Sequence, residues 1–321
     1  MRQSTILLVQ MLCAAAMLGA CGGGNDTGSP SPAPTPAPSP STTPTRVQKS
    51  LSVDGRARSY TLNLPAGYAT IASLPLVIAM HGGGGSAAQF ESTNGLTEKA
   101  NASGFAVVYP DGIAGALGVR TWNAGTCCGA SVTQQVDDVK FIEALIDDIA
   151  ASWPIDRKRI HATGHSNGGM MSYRLACDLS ARIASIAPNA AALVDSTCTP
   201  TRPVAVLHMH SRLDQNVPIA GGVGNGIAGV SFPTLDETIN AWVGIDHCGA
   251  TPQVQVQPGR YTRSRWTGCN AGVEVELILT DDGGHAWPGG QPGSVNADTP
   301  STAISANDEL WTFFQANRMP P

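Results

Sequence analysis

The sequence predicts one large domain of the α/β class, a mostly parallel sheet with helices on both faces. Three observations predict it. Short apolar runs without polar alternation occur at 74–80, 105–109 and 204–209, as in strands buried on both faces. Stretches with apolar residues at helical spacing fall between such runs, most clearly over 134–153. The part expected to fold, residues 48–321, suits a single such domain and carries no internal repeat.

Residues 51–64 alternate as two strands turned around Asp54-Gly55, a pair suited to a tight hairpin. The run at 74–80 ends in His81-Gly82-Gly83-Gly84-Gly85, and that at 105–109 in Pro110-Asp111-Gly112. Val136, Val139, Ile142, Leu145, Ile146 and Ile149 share one helical face, which Pro154 brings to a stop. A strand over 159–163, a helix over 168–177 and a strand over 204–209 follow. A helix over 234–243, a strand over 273–279 and a helix over 304–317 complete the alternation.

The N-terminus reads as an export signal over 1–20. Arg2 supplies the charge, and 6–18 form an apolar stretch too short to span a bilayer. Leu18-Gly19-Ala20-Cys21 looks like a bacterial lipobox, which makes Cys21 the expected lipidation site. That lipid is the only membrane attachment expected, with Gly22 after it pointing to an outer-membrane or extracellular destination. Residues 21–47 are Gly-rich and then alternate Pro with Ser, Ala and Thr, the composition of a semi-rigid tether. With 13% charged residues, a net charge of -5 and no Lys/Arg run, the chain is not expected to bind nucleic acid.

Apart from Cys13 and Cys21, the cysteines are Cys127, Cys128, Cys177, Cys198, Cys248 and Cys269. An even set in an exported chain suggests disulfides, for which fifteen pairings exist. Cys177–Cys198 and Cys248–Cys269 are preferred, because each closes a loop of about 20 residues and contributes roughly 3 kcal/mol. Cys127 and Cys128 are left to bridge each other or to pair elsewhere. No C-x-x-C or H-x-x-x-H spacing supports a metal, and none is expected.

Gly164-His165-Ser166-Asn167-Gly168 fits G-x-S-x-G and falls between an expected strand and an expected helix, the context this motif requires. Ser166 is the candidate nucleophile, and a serine hydroxyl needs a base to take its proton. His285, in a glycine-rich loop just past the 273–279 strand, is the candidate base. His247, beside Cys248 at a helix end, reads as a surface or capping residue. Asp214, just past the 204–209 strand, is the candidate acid that orients the imidazole. Asp236 and Asp246 lie on or near a helix, and Asp281 and Asp282 are too close to the histidine. Asp111, Asp137 and Asp138 precede the serine and read as structural. The backbone N–H groups of Asn167 and Gly83, with Gly82 and Gly84 as neighbours, are candidates for holding an oxyanion. A phosphate loop does not fit, since no G-x-x-x-x-G-K-[ST] occurs. Trp122 and Trp287 read as a substrate wall beside the serine or as core. His208 and His210 share a strand face, which hints at a metal, but without a third ligand hydrogen bonding beside the site fits better.

Several segments together resemble the secreted esterases grouped with polyhydroxybutyrate depolymerases and feruloyl or acetylxylan esterases. The likeness runs from about Leu51 to the C-terminus. It rests on His81-Gly82-Gly83, Tyr109-Pro110-Asp111-Gly112, Trp122-Asn123-Ala124-Gly125-Thr126-Cys127-Cys128-Gly129 and Val136-Asp137-Asp138-Val139. It continues in Gly164-His165-Ser166-Asn167-Gly168-Gly169-Met170, Leu175-Ala176-Cys177 and Gly284-His285-Ala286-Trp287-Pro288-Gly289. The resemblance implies an α/β-hydrolase fold, no cofactor, and a triad on Ser166, Asp214 and His285. It departs in one place: His210-Ser211-Arg212 stands where the family has His-Gly-Thr. No polymer-binding domain is evident, which points to soluble or oligomeric ester substrates of cell-wall or hydroxyalkanoate type. The rival expectation is a non-catalytic glycan- or polymer-binding lipoprotein on the same scaffold.

Overall fold

A computed structural model describes residues 43–320, Ser196 excepted. The expected signal, Cys21 and most of the expected tether lie outside the described residues. The first strand begins at Thr45, three residues ahead of Gln48, where the folded part is expected to open.

Strands β1 (Thr45–Val53) and β2 (Arg56–Leu64) form the expected hairpin. Asp54 and Gly55 both take positive φ, 50° and 74°, as the tightest hairpin turns require. Then come β3 (Leu74–Met80), α1 (Ala87–Asn94), α2 (Leu96–Ser103) and β4 (Ala106–Pro110). A small hairpin of β5 (Ile113–Ala114) and β6 (Arg120–Thr121) precedes α3 (Gly129–Thr133) and α4 (Asp138–Ser152). The chain continues through β7 (Ile155–His165), α5 (Asn167–Asp178), β8 (Ser185–Asn189) and β9 (Ala205–Ser211). A second small hairpin, β10 (Gly222–Val223) with β11 (Ser231–Phe232), leads into α6 (Leu235–Ile245). Last come β12 (Gln253–Gln257), β13 (Tyr261–Trp266), β14 (Val275–Thr280) and α7 (Ala306–Ala316).

Ten of these strands make one sheet in the order β1-β2-β4-β3-β7-β8-β9-β14-β13-β12. The six from β4 to β14 run parallel, and antiparallel strands close both sides. The winding direction reverses between β3 and β7. Loops at the carboxyl ends of these two neighbours therefore diverge and leave a crevice, the usual ligand position in such sheets.

The unalternating runs are explained by two cores. Leu74, Leu76, Ile78 and Met80 of β3 pack on one face with Phe141, Leu145, Tyr173 and Trp242 from α4, α5 and α6. Val77 and Ala79 pack on the other with Phe90, Leu96, Trp311 and Phe314 from α1, α2 and α7. Both faces are dry, so both parities of the strand must be apolar.

The helix expected over 134–153 is shorter than its apolar stripe. Asp137 caps it by accepting from Lys140 N at 2.9 Å, and Gln135 takes a φ of 49°, so Val136 is buried just outside the helix. Strands β8, β12 and β13 were not expected. β8 holds Pro188 in a buried strand, and β12 is a fully exposed Gln-Val-Gln-Val-Gln edge whose alternation faces no core.

Cys177–Cys198 and Cys248–Cys269 are bridged, as preferred from loop length, and Cys127 is bridged to Cys128. The first bridge ties the end of α5 to the segment before β9, and the second ties the end of α6 to the turn before β14.

Asp246 ends α6 in full burial, with Oδ1 accepting from Val204 N at 3.2 Å and Oδ2 unpartnered among the described residues. Burial pushes its carboxyl up to about 7. A carboxyl raised in the folded state stabilises fully only below its unfolded pKa, and that contribution is lost as pH rises towards 7. Asp246→Asn keeps the acceptor for Val204 without the charge. Thermal melts should show it more stable than the parent above neutral pH, with the advantage fading towards pH about 4.

Candidate active site

The loops after β7, β9 and β14 carry Ser166, Asp214 and His285 to the same edge of the sheet. Ser166 follows β7 directly and is the N-cap of α5, with φ 55° and ψ −123°. A non-glycine residue there stores roughly 1–3 kcal/mol of strain, held in place by its surroundings. Ser166 N donates to Asn189 O at 2.9 Å, pinning the turn to the end of β8. Glycine is obligatory on both sides. A Cβ on Gly164 would meet the Gly168 backbone, and one on Gly168 would meet the Met80 carbonyl. The side chain of Ser166 opens onto a cavity of about 920 Å³, which His285, Gly83 and Asn167 also line.

His285 Nδ1 donates to Asp214 Oδ2 at 2.7 Å, which leaves Nε2 as the acceptor of the neutral ring. Among the described residues no hydrogen bond yet joins the imidazole to Ser166; such bonds commonly tighten only around substrate. Asp214 Oδ1 accepts from Asn216 N and Val217 N, each at 2.8 Å. Burial pushes the Asp214 carboxyl up, but hydrogen bonds from His210 and His285 outweigh it and hold the group well below the usual carboxylate range. It is therefore ionised at neutral pH.

The loop bearing His285 is fixed from three sides. Asp298 Oδ2 accepts from His285 N at 2.6 Å, and Asn189 Nδ2 donates to Ala286 O at 3.0 Å. Trp287 is almost wholly buried, donates Nε1 to Asn307 Oδ1 at 3.1 Å and packs edge-on to Phe90. It anchors the loop and reaches a second cavity of about 660 Å³ beside His285. His165 lies 4.6 Å from the His285 ring, centre to centre, and burial pushes its pKa down to about 3. His165 is therefore a neutral neighbour of His285.

Gly84 N donates to Arg120 O at 2.7 Å and Gly85 N to Gly82 O at 3.0 Å, so neither can serve an incoming oxyanion. Gly83 N carries no bond among the described residues, and Gly83 lines the cavity. Asn167 N is the first N–H of α5, without an intrahelical acceptor. These two amides stay uncommitted in the wall of the cavity onto which Ser166 opens. Gly82 stays uncommitted too, but it lines the second cavity instead.

Of the two readings left open for Trp122, its position fits core. It is fully buried and lines neither large cavity, so it is no substrate wall. Its Nε1 donates to His81 O at 3.0 Å, and its backbone N–H and C=O pair with Asn167 Oδ1 and Nδ2 at 2.7 and 3.0 Å. One tryptophan thus joins the glycine loop to the start of α5, where the two free amides stand. Asp138, which reads as structural, is held by Arg58 and accepts from Asn123 N at 2.7 Å, fixing the segment after Trp122.

His247 is exposed beyond α6, and Asp236 lies in the first turn of that helix. Asp281 pairs with Arg212, and Asp282 accepts from Thr302 N. Sequence reasoning missed one support, Asn189; His210, expected to hydrogen-bond beside the site, has its Nε2 3.2 Å from Asp214 Oδ2. The four-residue separation of His210 and Asp214 was the available signal.

The family described as "Esterase PHB depolymerase" matches residues 58–239. Feruloyl esterase B of Piromyces equi is 32% identical over 243 residues, 74% of this chain but 44% of that protein, so the chain spans under half its length. The putative esterase NocK of Nocardia uniformis subsp. tsuyamanensis is 30% identical over 290 residues, 83% of each chain. An acetyl xylan esterase from Aspergillus awamori shares the fold, with a TM-score of 0.59 at 14% identity over 84% of this chain and 99% of that one. The likeness to that structure fits the α/β-hydrolase fold expected from the sequence.

Two substitutions probe this construction. Trp122→Phe keeps the ring but drops the bond to His81 O, and kcat should fall about tenfold with KM nearly unchanged. Gly168→Ala should cost more than about 3 kcal/mol in a denaturant melt, or leave the chain insoluble.

Proposed function

The chain belongs to the esterase PHB depolymerase family, and from that premise we propose that it is a serine carboxylic ester hydrolase working through an acyl-enzyme. One observation carries the reading: a single cavity is lined by Ser166, His285, Gly83 and Asn167, while Asp214 bonds the far nitrogen of the same imidazole. Ser166 Oγ attacks the ester carbonyl and His285 Nε2 takes its proton. The N–H groups of Gly83 and Asn167 hold the oxyanion, each contributing roughly 3 kcal/mol of barrier lowering. His285 then returns the proton to the leaving alcohol, and water repeats the sequence to release the acid. Asp214, ionised and buried, keeps Nδ1 protonated and stabilises the imidazolium.

Met170, Val217, Ile227, Ala228 and Phe232 give the larger cavity an apolar wall that suits an acyl group, and its volume accepts a hydroxycinnamoyl ring. Feruloyl and acetylxylan esterases among the relatives, and the depolymerase family itself, frame the substrate as a hydroxycinnamoyl, acetyl or short hydroxyacyl ester. Export through the N-terminal signal, with Cys21 lipidated, agrees with three bridged cysteine pairs, which persist in oxidising compartments.

Ser166→Ala should lower hydrolysis of p-nitrophenyl butyrate by at least about 10³-fold. Activity retained within tenfold would overturn the serine mechanism. Assayed side by side, methyl ferulate should be cleaved with higher kcat/KM than acetylated xylan or 3-hydroxybutyrate oligomers; the reverse order would reassign the acyl specificity.

A further inference from the structure

Beyond Asp214 the hydrogen bonding continues inward. His210 Nε2 lies 2.9 Å from Val217 O and 3.2 Å from Asp214 Oδ2. His210 Nδ1 lies 2.9 Å from His208 Nε2, and His208 Nδ1 lies 2.7 Å from Tyr173 Oη. His208, His210 and Tyr173 are all buried, so none can exchange a partner for water. We propose that His210 is a positioning residue for Asp214, and that Tyr173, His208 and His210 form a one-way hydrogen-bond chain ending on that carboxylate.

The direction follows from what each atom can do. Both neighbours of His210 Nε2, a carbonyl and a carboxylate, only accept, so Nε2 carries the proton. In the neutral ring Nδ1 must then accept, and the proton between the two histidines belongs to His208 Nε2. That leaves His208 Nδ1 as an acceptor, which the Tyr173 hydroxyl supplies with a proton. Burial holds His208 well below its usual pKa, consistent with a neutral ring, and raises that of Tyr173, which keeps its hydroxyl proton. Every donor points towards Asp214, and no lone pair opposes another.

Asp214 Oδ2 thus accepts from two imidazoles, His285 on the cavity side and His210 on the core side, while Oδ1 accepts two amides. With both oxygens held, the carboxylate cannot turn away from His285 as charge develops there. A neutral donor also withdraws negative charge from Oδ2. Removing it leaves a stronger partner for the His285 imidazolium, so the protonated base persists to higher pH. His285 is otherwise faced by neutral His165 and by Asp298 at its backbone amide, and neither changes with this substitution.

The inference rests on His285 acting as the general base proposed above. Profiles of kcat/KM against pH with p-nitrophenyl butyrate test it in the full chain. His210→Leu should lower kcat about tenfold and move the acid limb up by about half a pH unit or more. His210→Gln, which retains an N–H donor at that reach, should restore both towards the parent. A folded His210→Leu protein with its limb unmoved would reduce His210 to packing and overturn the proposal. Histidine-labelled NMR of the unmodified protein tests the direction without any variant. His208 and His210 should both be in the Nε2–H form, and an Nδ1–H or doubly protonated ring at either position overturns the chain even if the leucine variant fails to fold. Full activity in Ser166→Ala would instead remove the general-base reading, leaving the tautomers as an independent measurement.

Discussion

An ionised carboxylate in a protein interior is tolerated only when donors replace the water it has lost. Asp214 is that group here, and much of the architecture around it exists to satisfy it. Its own loop turns back after β9 so that Asn216 N and Val217 N reach Oδ1. The loop after β14, held by Asp298, Asn189 and Trp287, delivers His285 from one side. Strand β9 delivers His210 from the other. Breaking any one of these strands a charge whose desolvation is already incurred, which is why such pairs destabilise strongly when halved.

A different constraint shapes the other half of the site. Ser166 must sit where a helix begins against a strand at van der Waals distance, and this fixes glycine at 164 and 168 on steric grounds alone. Which amides beside the cavity stay uncommitted depends on which of their neighbours are occupied. Gly84 and Gly85 are spent on carbonyls and Trp122 holds the two loops in register, while Gly83 and Asn167 stay uncommitted in the wall of the larger cavity. The pair proposed to hold an oxyanion is thus set apart as much by engaging adjacent amides as by leaving two of them alone.

Most of the parallel core was legible because burial on both faces writes itself as unbroken apolar runs, and the hairpin at Asp54-Gly55 because its backbone demands those residues. The order of Ser166, Asp214 and His285 along the chain, each just past a strand, foretold which loops would meet. Strand β12 stayed hidden because its alternation answers to hydrogen bonding at an edge and not to a core. Trp122 stayed open between wall and core because an indole near a glycine loop looks the same in sequence whether its ring faces substrate or its N–H braces a carbonyl. His210 was noticed, but the partner of a histidine pair is a matter of three-dimensional register that spacing leaves open.

The register of the first hairpin sets an orientation. Thr45 pairs with Leu64, at the end of β2 that runs away from Pro110 and the carboxyl ends of the parallel strands. The polypeptide therefore enters the sheet at the margin opposite Ser166. The first described strand thus joins the sheet at its base, while the loops that bear Ser166, Asp214 and His285 stand at the opposite margin.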